Sequence, residues 1–330
     1  MAPNICLITC SPAGVNMQES QCIQDLIKFI DPHGINWVTF NSLEDRPAIE
    51  EIISRFGLKP SLVEEVINPG LWEVKEEEEA CLFLRLAKVT RNPITGQMQE
   101  IRASFILGTQ YLLLFHNGDG DSFAKTRRKL LEGRFNERQG GADDLLYLLL
   151  REWAVDNYYS SLKSFHGKIQ QLEEELLNTR GEESTYAAIL NVRREVGRLG
   201  DYLLACFEFV DALKTMEVSY ITPAAAHYFT QSLPEDMTGF WREHKSQRET
   251  LKELLEIYQT LITNKMNRGL QLLTAIVTIF LPVIFITGMF SMNFRYMPDR
   301  EWPWSYPLIL IVIGFLFLTM VLLVKRRKMF

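Results

Sequence analysis

The amino-acid sequence predicts an α/β domain, then a stalk of long helices, then a hairpin of two C-terminal transmembrane helices. Three observations predict this fold class. Short apolar runs alternate with helical spacing in residues 1–135, long stretches of mixed charged and apolar residues follow, and the last 62 residues contain two long uncharged runs. We therefore expect some of the apolar side chains to be buried in a packed core and others to face a lipid bilayer.

Residues 1–135 are predicted to form the α/β domain. Short runs rich in apolar and β-branched residues predict strands at 5–9, 37–40, 80–90, 101–107 and 111–115. Helical spacing predicts helices at 18–30, 47–56 and 59–67. The turn sequence Asn-Pro-Ile-Thr-Gly at 92–96 predicts antiparallel pairing of the strands on either side. These elements together predict a sheet with helices packed against it.

Residues 136–233 are predicted to form a hairpin of long helices, because Asn178, Arg180 and Gly181 interrupt two charged stretches of similar length. A further helix should begin near Pro234, where two acidic residues follow. No proline or glycine interrupts residues 240–268 of this stalk, which spans 234–268 and continues into the first apolar run. At about 1.5 Å per residue, a helix over 235–290 extends roughly 80 Å.

Two apolar runs predict the membrane hairpin. Twenty-six uncharged residues separate Arg268 from Arg295, and 23 more span 302–324. Each exceeds the roughly 20 residues that cross a bilayer as a helix. We therefore expect a first membrane helix at 269–294, an external loop at 295–306, a second membrane helix at 307–324 and a basic tail at 325–330. Basic residues gather on the cytoplasmic side, which predicts that both termini are cytoplasmic.

The charge distribution and the metal-binding residue types argue against some classes of function. The last 36 residues carry six basic and two acidic side chains, so a net charge of −6 for the chain leaves −10 on residues 1–294. An acidic body argues against nucleic-acid binding, and it suits either metal cations or an ordinary solvated surface. The five cysteines form no CxxC pair, the five histidines lack metal-binding spacing, and the fragment 118–121 is too short for an EF-hand. An enzyme is therefore disfavoured.

A stripe of residues runs along the first membrane helix with alternating spacings of three and four. Such a heptad period holds one helix face toward a common axis, as a pore requires, although ordinary helix packing produces the same spacing. Neither span contains an Asp, Glu, His, Lys or Arg side chain, which favours passive ion flow over proton coupling. The stripe consists of Asn267, Leu270, Thr274, Val277, Leu281, Ile284 and Gly288.

The sequence ITGMFSMNFRYMPDREWPWSYP closely resembles the signature region of the CorA magnesium channels. That signature is Gly-Met-Asn with an aromatic residue and a Met-Pro pair, and here it stands as Ser291, Met292, Asn293 and Phe294, followed by Met297-Pro298. The upstream FGLKPSLVEEVINPG and the order of elements also fit the family. The main departure is Ser291, which replaces a glycine that permits backbone conformations closed to serine.

The resemblance implies a funnel-shaped homopentamer in the inner or plasma membrane that conducts divalent metal ions. Mg²⁺ is the expected ion, with Co²⁺ and Ni²⁺ as further candidates, and cytoplasmic Mg²⁺ is expected to regulate gating. Because Mg²⁺ gives up its water reluctantly, a ring of Asn293 amides at the outer mouth would hold the hydrated ion, flanked by Ser291 and Met292. The family's pore-lining positions fall on the stripe, with Leu281 and Ile284 as candidate constrictions.

The resemblance also implies a regulatory metal site between subunits. One acidic partner aligns with Glu65, and the nearest candidates on the stalk are Glu235 and Asp236, although helix capping and solvation explain these acids equally well. Two alternatives keep the fold and change the role. One is a related branch that exports zinc, with proton coupling, and the other is a membrane scaffold that conducts nothing.

Overall fold

The computed structural model describes residues 5–11, 14–77, 81–92, 98–118, 122–132, 141–179, 182–215, 220–292 and 304–326. The chain divides into two compact units. The first comprises Met1–Glu175 and Ala187–Lys252, and the second comprises Leu176–Tyr186 and Glu253–Phe330. The predicted fold class is confirmed, with an α/β domain, long helices and two C-terminal apolar helices.

Seven strands in the described ranges form one mixed sheet in the order β2-β1-β3-β7-β6-β5-β4. The pairing of β3 with β7 is parallel, and the other pairings are antiparallel. The strands are β1 (Ile5–Ser11), β2 (Gly14–Ser20), β3 (Ile35–Phe40), β4 (Trp72–Glu77), β5 (Cys81–Arg91), β6 (Met98–Leu107) and β7 (Tyr111–His116). Five of them were predicted.

The predicted antiparallel pairing around the Asn92 turn is confirmed, since β5 and β6 pair from Leu82 and Leu107 to Arg91 and Met98. Residues 93–97 of the turn itself lie outside the described residues. The strands that the sequence did not predict, β2 and β4, are the two edges of the sheet. Both carry mostly polar residues, as edge strands commonly do, since polar and charged side chains discourage pairing with another chain.

The helix predicted over 18–30 is wrong in its first half. Residues 18–20 belong to β2, and a short helix α1 (Ile23–Leu26) with a single 3₁₀ turn (Ile27–Phe29) follows. The chain reverses after β1 at Gly14, whose φ of +133° is a conformation that favours glycine. The backbone then pairs residue by residue with β1 as a hairpin, and this strand pairing outweighs the helical spacing.

Helices cover both faces of the sheet. On one face, α2 (Arg46–Arg55) and α3 (Ser61–Ile67) pack over alternate residues of the central strands, including Leu113 and Phe115. On the other face, Phe105 contacts Phe123, the residue before α4 (Ala124–Leu131), and α5 (Ala142–Leu150) packs on β6 and β7. A sheet buried on both faces explains the continuous apolar run of β7.

The predicted long helices are confirmed as α6 (Asp156–Thr179), α7 (Glu183–Thr215) and α8 (Leu233–Ser291), and the last helix is α9 (Ser305–Arg326). Side chains bond to backbone carbonyls across the helices in the first unit. The Tyr158 hydroxyl donates to the Tyr202 carbonyl at 2.8 Å, and the Gln247 amide donates to the Leu162 carbonyl at 2.9 Å. These bonds fix the register of the three helices.

Candidate functional site

The C-terminal part of α8 and the whole of α9 are long and apolar enough to cross a membrane. Most side chains of both segments are exposed on the single chain, including large ones such as Phe285 and Phe315. Apolar surface on this scale requires lipid or further copies of the chain to cover it. As helices, both segments satisfy most of their backbone hydrogen bonds internally, as a bilayer demands, with an interruption at Pro282 in α8.

One face of α8 packs against α9. Ala275 and Ile279 are buried against Val324, with Met320 and Val321 partly buried beside them. One residue further along α8, Phe280 meets Phe317 edge to face, with ring centroids 6.0 Å apart. Small Ala275 lets the two helix backbones approach closely, as is common between membrane helices. This contact identifies which side of α8 the second helix occupies.

The stripe predicted to line a pore lies on the opposite face of α8. Each residue advances about 100° around a helix, so Val277 is rotated about 200° from Ala275. Leu281 is 62% exposed and Ile284 is 63% exposed, whereas Ile279 is 8% exposed. Asn267, Leu270, Thr274 and Gly288 are also exposed. Among the described residues, the second helix therefore leaves the whole stripe exposed on the single chain.

Pro282, within α8, was given no role in the sequence interpretation. Proline has no N–H, so the carbonyl of Thr278 cannot receive the usual bond from the residue four positions later. The side chain of the same residue is engaged, because the Thr278 hydroxyl donates to the Thr274 carbonyl at 2.7 Å. The proline itself is visible in the sequence, and a proline within a membrane helix is a common site of bending.

Two of the predicted mouth residues lie at the end of α8, with Ser291 as its last residue and Met292 directly after it. The hydroxyl of Ser291 donates to the Gly288 carbonyl at 2.7 Å, and the Met292 amide donates to the Met289 carbonyl at 3.3 Å. The Met292 side chain is 54% exposed. Asn293, the predicted source of the amide ring, lies outside the described residues.

The first predicted regulatory acid, Glu65, lies on α3. Its Oε1 is 3.5 Å from the Lys75 Nζ on β4, and its side chain is about one quarter exposed. Its backbone carbonyl accepts a hydrogen bond from Arg85 Nη1 at 2.7 Å. The bond from Arg85 thus holds the backbone of Glu65 in place. The ion pair between the Glu65 carboxylate and Lys75 is accessible to water.

The other two regulatory candidates, Glu235 and Asp236, lie in the first turn of α8. They line a groove of about 570 Å³ between α6 and α8, and Glu65 is not among the residues that line it. Burial raises the pKa of Asp236, and neighbouring Glu235 raises it further, while Arg151 opposes the shift. In the described residues of one chain, no three acidic, histidine or cysteine side chains converge as metal ligands. The groove is lined by Tyr159, Leu162, Lys163, His166, Glu235, Asp236, Gly239, Phe240 and Glu243.

A buried ionisable cluster in the first unit was not predicted. The ammonium of Lys88 lies 3.7 Å from the centroid of the Trp153 ring, and burial lowers its pKa to about 8. The ring of His116 lies 6.3 Å from Trp153, and burial together with the positive Lys88 lowers its pKa to about 4. The sequence offered little signal here, because Trp153 lies 65 residues after Lys88 and 37 residues after His116 along the chain.

Comparison with known proteins gives consistent matches. A family described as "CorA-like Mg2+ transporter protein" matches residues 32–327. The "Cobalt/magnesium transport protein CorA" of Thermotoga maritima is 28% identical over 313 residues, covering 93% of this chain and 86% of that protein. The complete structure of the CorA magnesium transporter from Methanocaldococcus jannaschii superposes with a TM-score of 0.81 at 18% identity, covering 99% of this chain and 98% of that one. The full-length CmaX protein gives a TM-score of 0.77 at 18% identity, covering 98% of both chains.

Proposed function

The chain belongs to the CorA-like Mg²⁺ transporter family, and on that premise we propose that it is a homo-oligomeric channel through which Mg²⁺ enters the cell down the membrane potential. It is a membrane protein that transports divalent cations, and it is not an enzyme. The choice of ion, the direction of flow and the gating are the proposed part. The observation that carries the proposal is the unpartnered, uncharged stripe on α8.

The stripe needs further copies of the chain to become a pore. One copy supplies two membrane helices, and α9 covers the side of α8 that carries Ala275 and Ile279. Copies arranged about an axis would enclose the exposed side, with α8 innermost and α9 facing lipid. Five copies, as the family resemblance implies, would form rings of Val277, Leu281 and Ile284, of which the bulky Leu281 and Ile284 rings would close the path by excluding water.

Passive flow fits the chemistry of the two spans. Residues 269–292 and 304–324 carry no acidic, basic or histidine side chain, so these segments offer no proton relay. The membrane potential supplies about 2.3 kcal/mol per elementary charge per 100 mV, which is about 4.6 kcal/mol for a divalent ion. The basic residues that end α9, Lys325 and Arg326, support an orientation with both termini in the cytoplasm.

At the outer mouth, Asn293 would provide neutral amide oxygens to a cation that keeps its water. Mg²⁺ sheds water reluctantly, so a site that accepts hydrogen bonds from bound water avoids that cost. A ring of carboxylates would instead hold the ion more tightly and slow its release. Ser291 ends α8, and Met292 alone separates it from this position in the sequence.

Cytoplasmic Mg²⁺ would regulate the channel by binding between subunits at Glu65 together with Glu235 or Asp236. The present partner of Glu65 is Lys75, at 3.5 Å in a solvent-accessible pair. Such pairs contribute roughly 0–1 kcal/mol, so a divalent cation can displace the lysine at little cost. An ion that binds better when subunits are close together would favour the closed state. Mg²⁺ is then both the transported and the regulatory ion.

Flux through purified protein in liposomes tests this proposal. Mg²⁺, Co²⁺, Ni²⁺ and Zn²⁺ would be compared in one preparation, with and without a pH gradient. We expect entry of Mg²⁺ that responds to membrane potential and is indifferent to the pH gradient. Zn²⁺ movement that requires the pH gradient would favour the zinc-exporting alternative, and the absence of flux for all four ions would favour the scaffold.

A further inference from the structure

A side-chain hydroxyl bonds to a backbone carbonyl at the end of α8. In a continuing α-helix the amide of residue 292 donates to the carbonyl of residue 288. Here the Met292 amide donates to Met289 at 3.3 Å, and among the described residues it is the hydroxyl of Ser291 that donates to the Gly288 carbonyl, at 2.7 Å. The hydroxyl hydrogen of Ser291 is therefore directed back along its own helix.

Ser291 also continues the stripe. It follows Gly288 by three residues and Ile284 by seven, which keeps the alternating spacing, and its side chain is exposed on the single chain. In front of Gly288 the space is open, since a Cβ at that position would meet no atom of the described residues within 4 Å beyond the backbone of its own helix. The Ser291 oxygen thus borders the same unpartnered face as the stripe, at the end of α8 that adjoins Asn293.

We propose that Ser291 is a specificity-determining residue of the channel, whose oxygen accepts hydrogen bonds from the water shell of the passing cation. A serine hydroxyl has one hydrogen and two lone pairs. Because the Gly288 carbonyl takes the hydrogen, Oγ presents only lone pairs to the path. Water bound to a cation points its hydrogens outward, so a fixed acceptor is complementary to it.

The inference rests on the proposed function, in which this face of α8 lines the ion path. In the proposed oligomer each copy contributes one Ser291 oxygen, which forms a ring of acceptors next to the Asn293 ring. The bond to Gly288 also polarises the hydroxyl, and a donor already engaged strengthens the oxygen as an acceptor. Serine in place of the signature glycine would then add a second contact to the hydrated ion.

Block by cobalt(III) hexaammine tests this role. This cation presents N–H donors in an octahedral shell that does not exchange, so it reports outer-shell acceptors without dehydration. We expect Ser291→Ala to weaken block of Mg²⁺ influx by about tenfold or more, since tenfold is the loss of roughly one hydrogen bond and the substitution removes the oxygen from every copy. It should raise the KM for Mg²⁺ more than it changes the maximal flux. Ser291→Thr keeps a hydroxyl that can donate to the same carbonyl, so block should stay within about twofold of the wild type.

Thr319→Val is the matched control, because its hydroxyl makes the same kind of bond, to the Phe315 carbonyl at 2.8 Å, but in α9. Each variant would first be checked for an unchanged oligomer by size-exclusion chromatography. Equal block of the wild type and an assembled Ser291→Ala variant would overturn the inference while leaving the channel proposal intact. Failure of wild-type protein to transport any divalent cation would instead overturn the proposed function.

Discussion

The imidazole of His244 occupies the space in front of Gly200. A Cβ at Gly200 would lie 2.5 Å from His244 Cε1 and 2.6 Å from Nε2. The same ring nitrogen is 3.0 Å from the Val196 carbonyl, so the ring cannot move away without losing that hydrogen bond. The absent side chain at position 200 therefore lets α7 and α8 approach at this point.

Gly200→Ala is expected to destabilise the protein, although alanine is the better helix former by about 1 kcal/mol. The added methyl must displace a buried ring, and such overpacking costs about 1–3 kcal/mol. Gly197→Ala on the same helix is the control, because a Cβ there would meet no atom within 4 Å. The thermal midpoint in detergent should fall for the first variant and stay level or rise for the second. A higher midpoint for both would contradict the close packing.

Lys88→Met is expected to raise the thermal midpoint at pH 7. Burial lowers the pKa of Lys88 from 10.5 to about 8, so between those values the unfolded chain binds a proton that the folded chain has released. The lysine's contribution to stability therefore improves as the pH rises from about 8 to 10.5, and is least favourable below pH 8. Contact with the Trp153 ring offsets part of the cost, which leaves a gain on the order of 1–3 kcal/mol for methionine at pH 7.

The difference in midpoint between wild type and Lys88→Met should shrink as the pH rises through that range. Exposed Lys129 on α4 provides the matched control, and Lys129→Met should show no such trend. A pH-independent difference for Lys88→Met would mean that the lysine is neutral, or fully solvated, throughout.

The secondary structure was predicted best where the sequence pattern is long. Helices α6, α7 and α8 are each at least 24 residues long, so their period is repeated many times and depends little on distant partners. The polar edge strands β2 and β4 were missed, because only pairing with β1 and β5 defines them. Periodicity predicted the stripe on α8, whereas the position of α9 on the opposite face depends on Ala275, Ile279 and Val324 coming together in space.

The candidate site was predictable only in part for the same reason. Ser291 was identified from its sequence neighbours, but its bond to Gly288 depends on where α8 ends, and helix ends are poorly fixed by sequence. The ion pair between Glu65 and Lys75 joins a helix to a strand and has no sequence signature. Lys88 and Trp153 were likewise brought together by the sheet and the helices that cover it.

Glu65→Gln is expected to raise, severalfold, the internal Mg²⁺ concentration that halves flux, because a neutral amide holds a divalent ion less well than a carboxylate. Lys75→Met should have the opposite effect, since it removes the competing cation 3.5 Å away. The neighbouring Glu64 pairs with Arg46 instead, so Glu64→Gln is the control and should change little. Inhibition curves in proteoliposomes that coincide for Glu65→Gln and wild type would remove Glu65 from the regulatory site.

Asn293→Leu is expected to abolish Mg²⁺ uptake while leaving the oligomer assembled. An apolar ring at the outer mouth would offer no oxygen to the water around the ion. Asn293→Gln keeps the amide on a longer side chain and should retain part of the flux. Uptake by dye-loaded liposomes, with assembly checked by size-exclusion chromatography, measures both properties. Full transport by an assembled Asn293→Leu protein would place the selective ring elsewhere.

The most direct test of the central claim, that the exposed stripe of α8 lines the ion path, is block of Mg²⁺ influx by a charged methanethiosulfonate reagent after cysteine substitution. Cys22 is the exposed cysteine among the five, so Cys22→Ser provides the background. The reagent attacks thiolates, which form in water and not in lipid. We predict that Val277→Cys, Leu281→Cys and Ile284→Cys are blocked, whereas Ala275→Cys and Ile279→Cys, which α9 covers, are not. Block at position 279 with no block at position 281 would contradict the account.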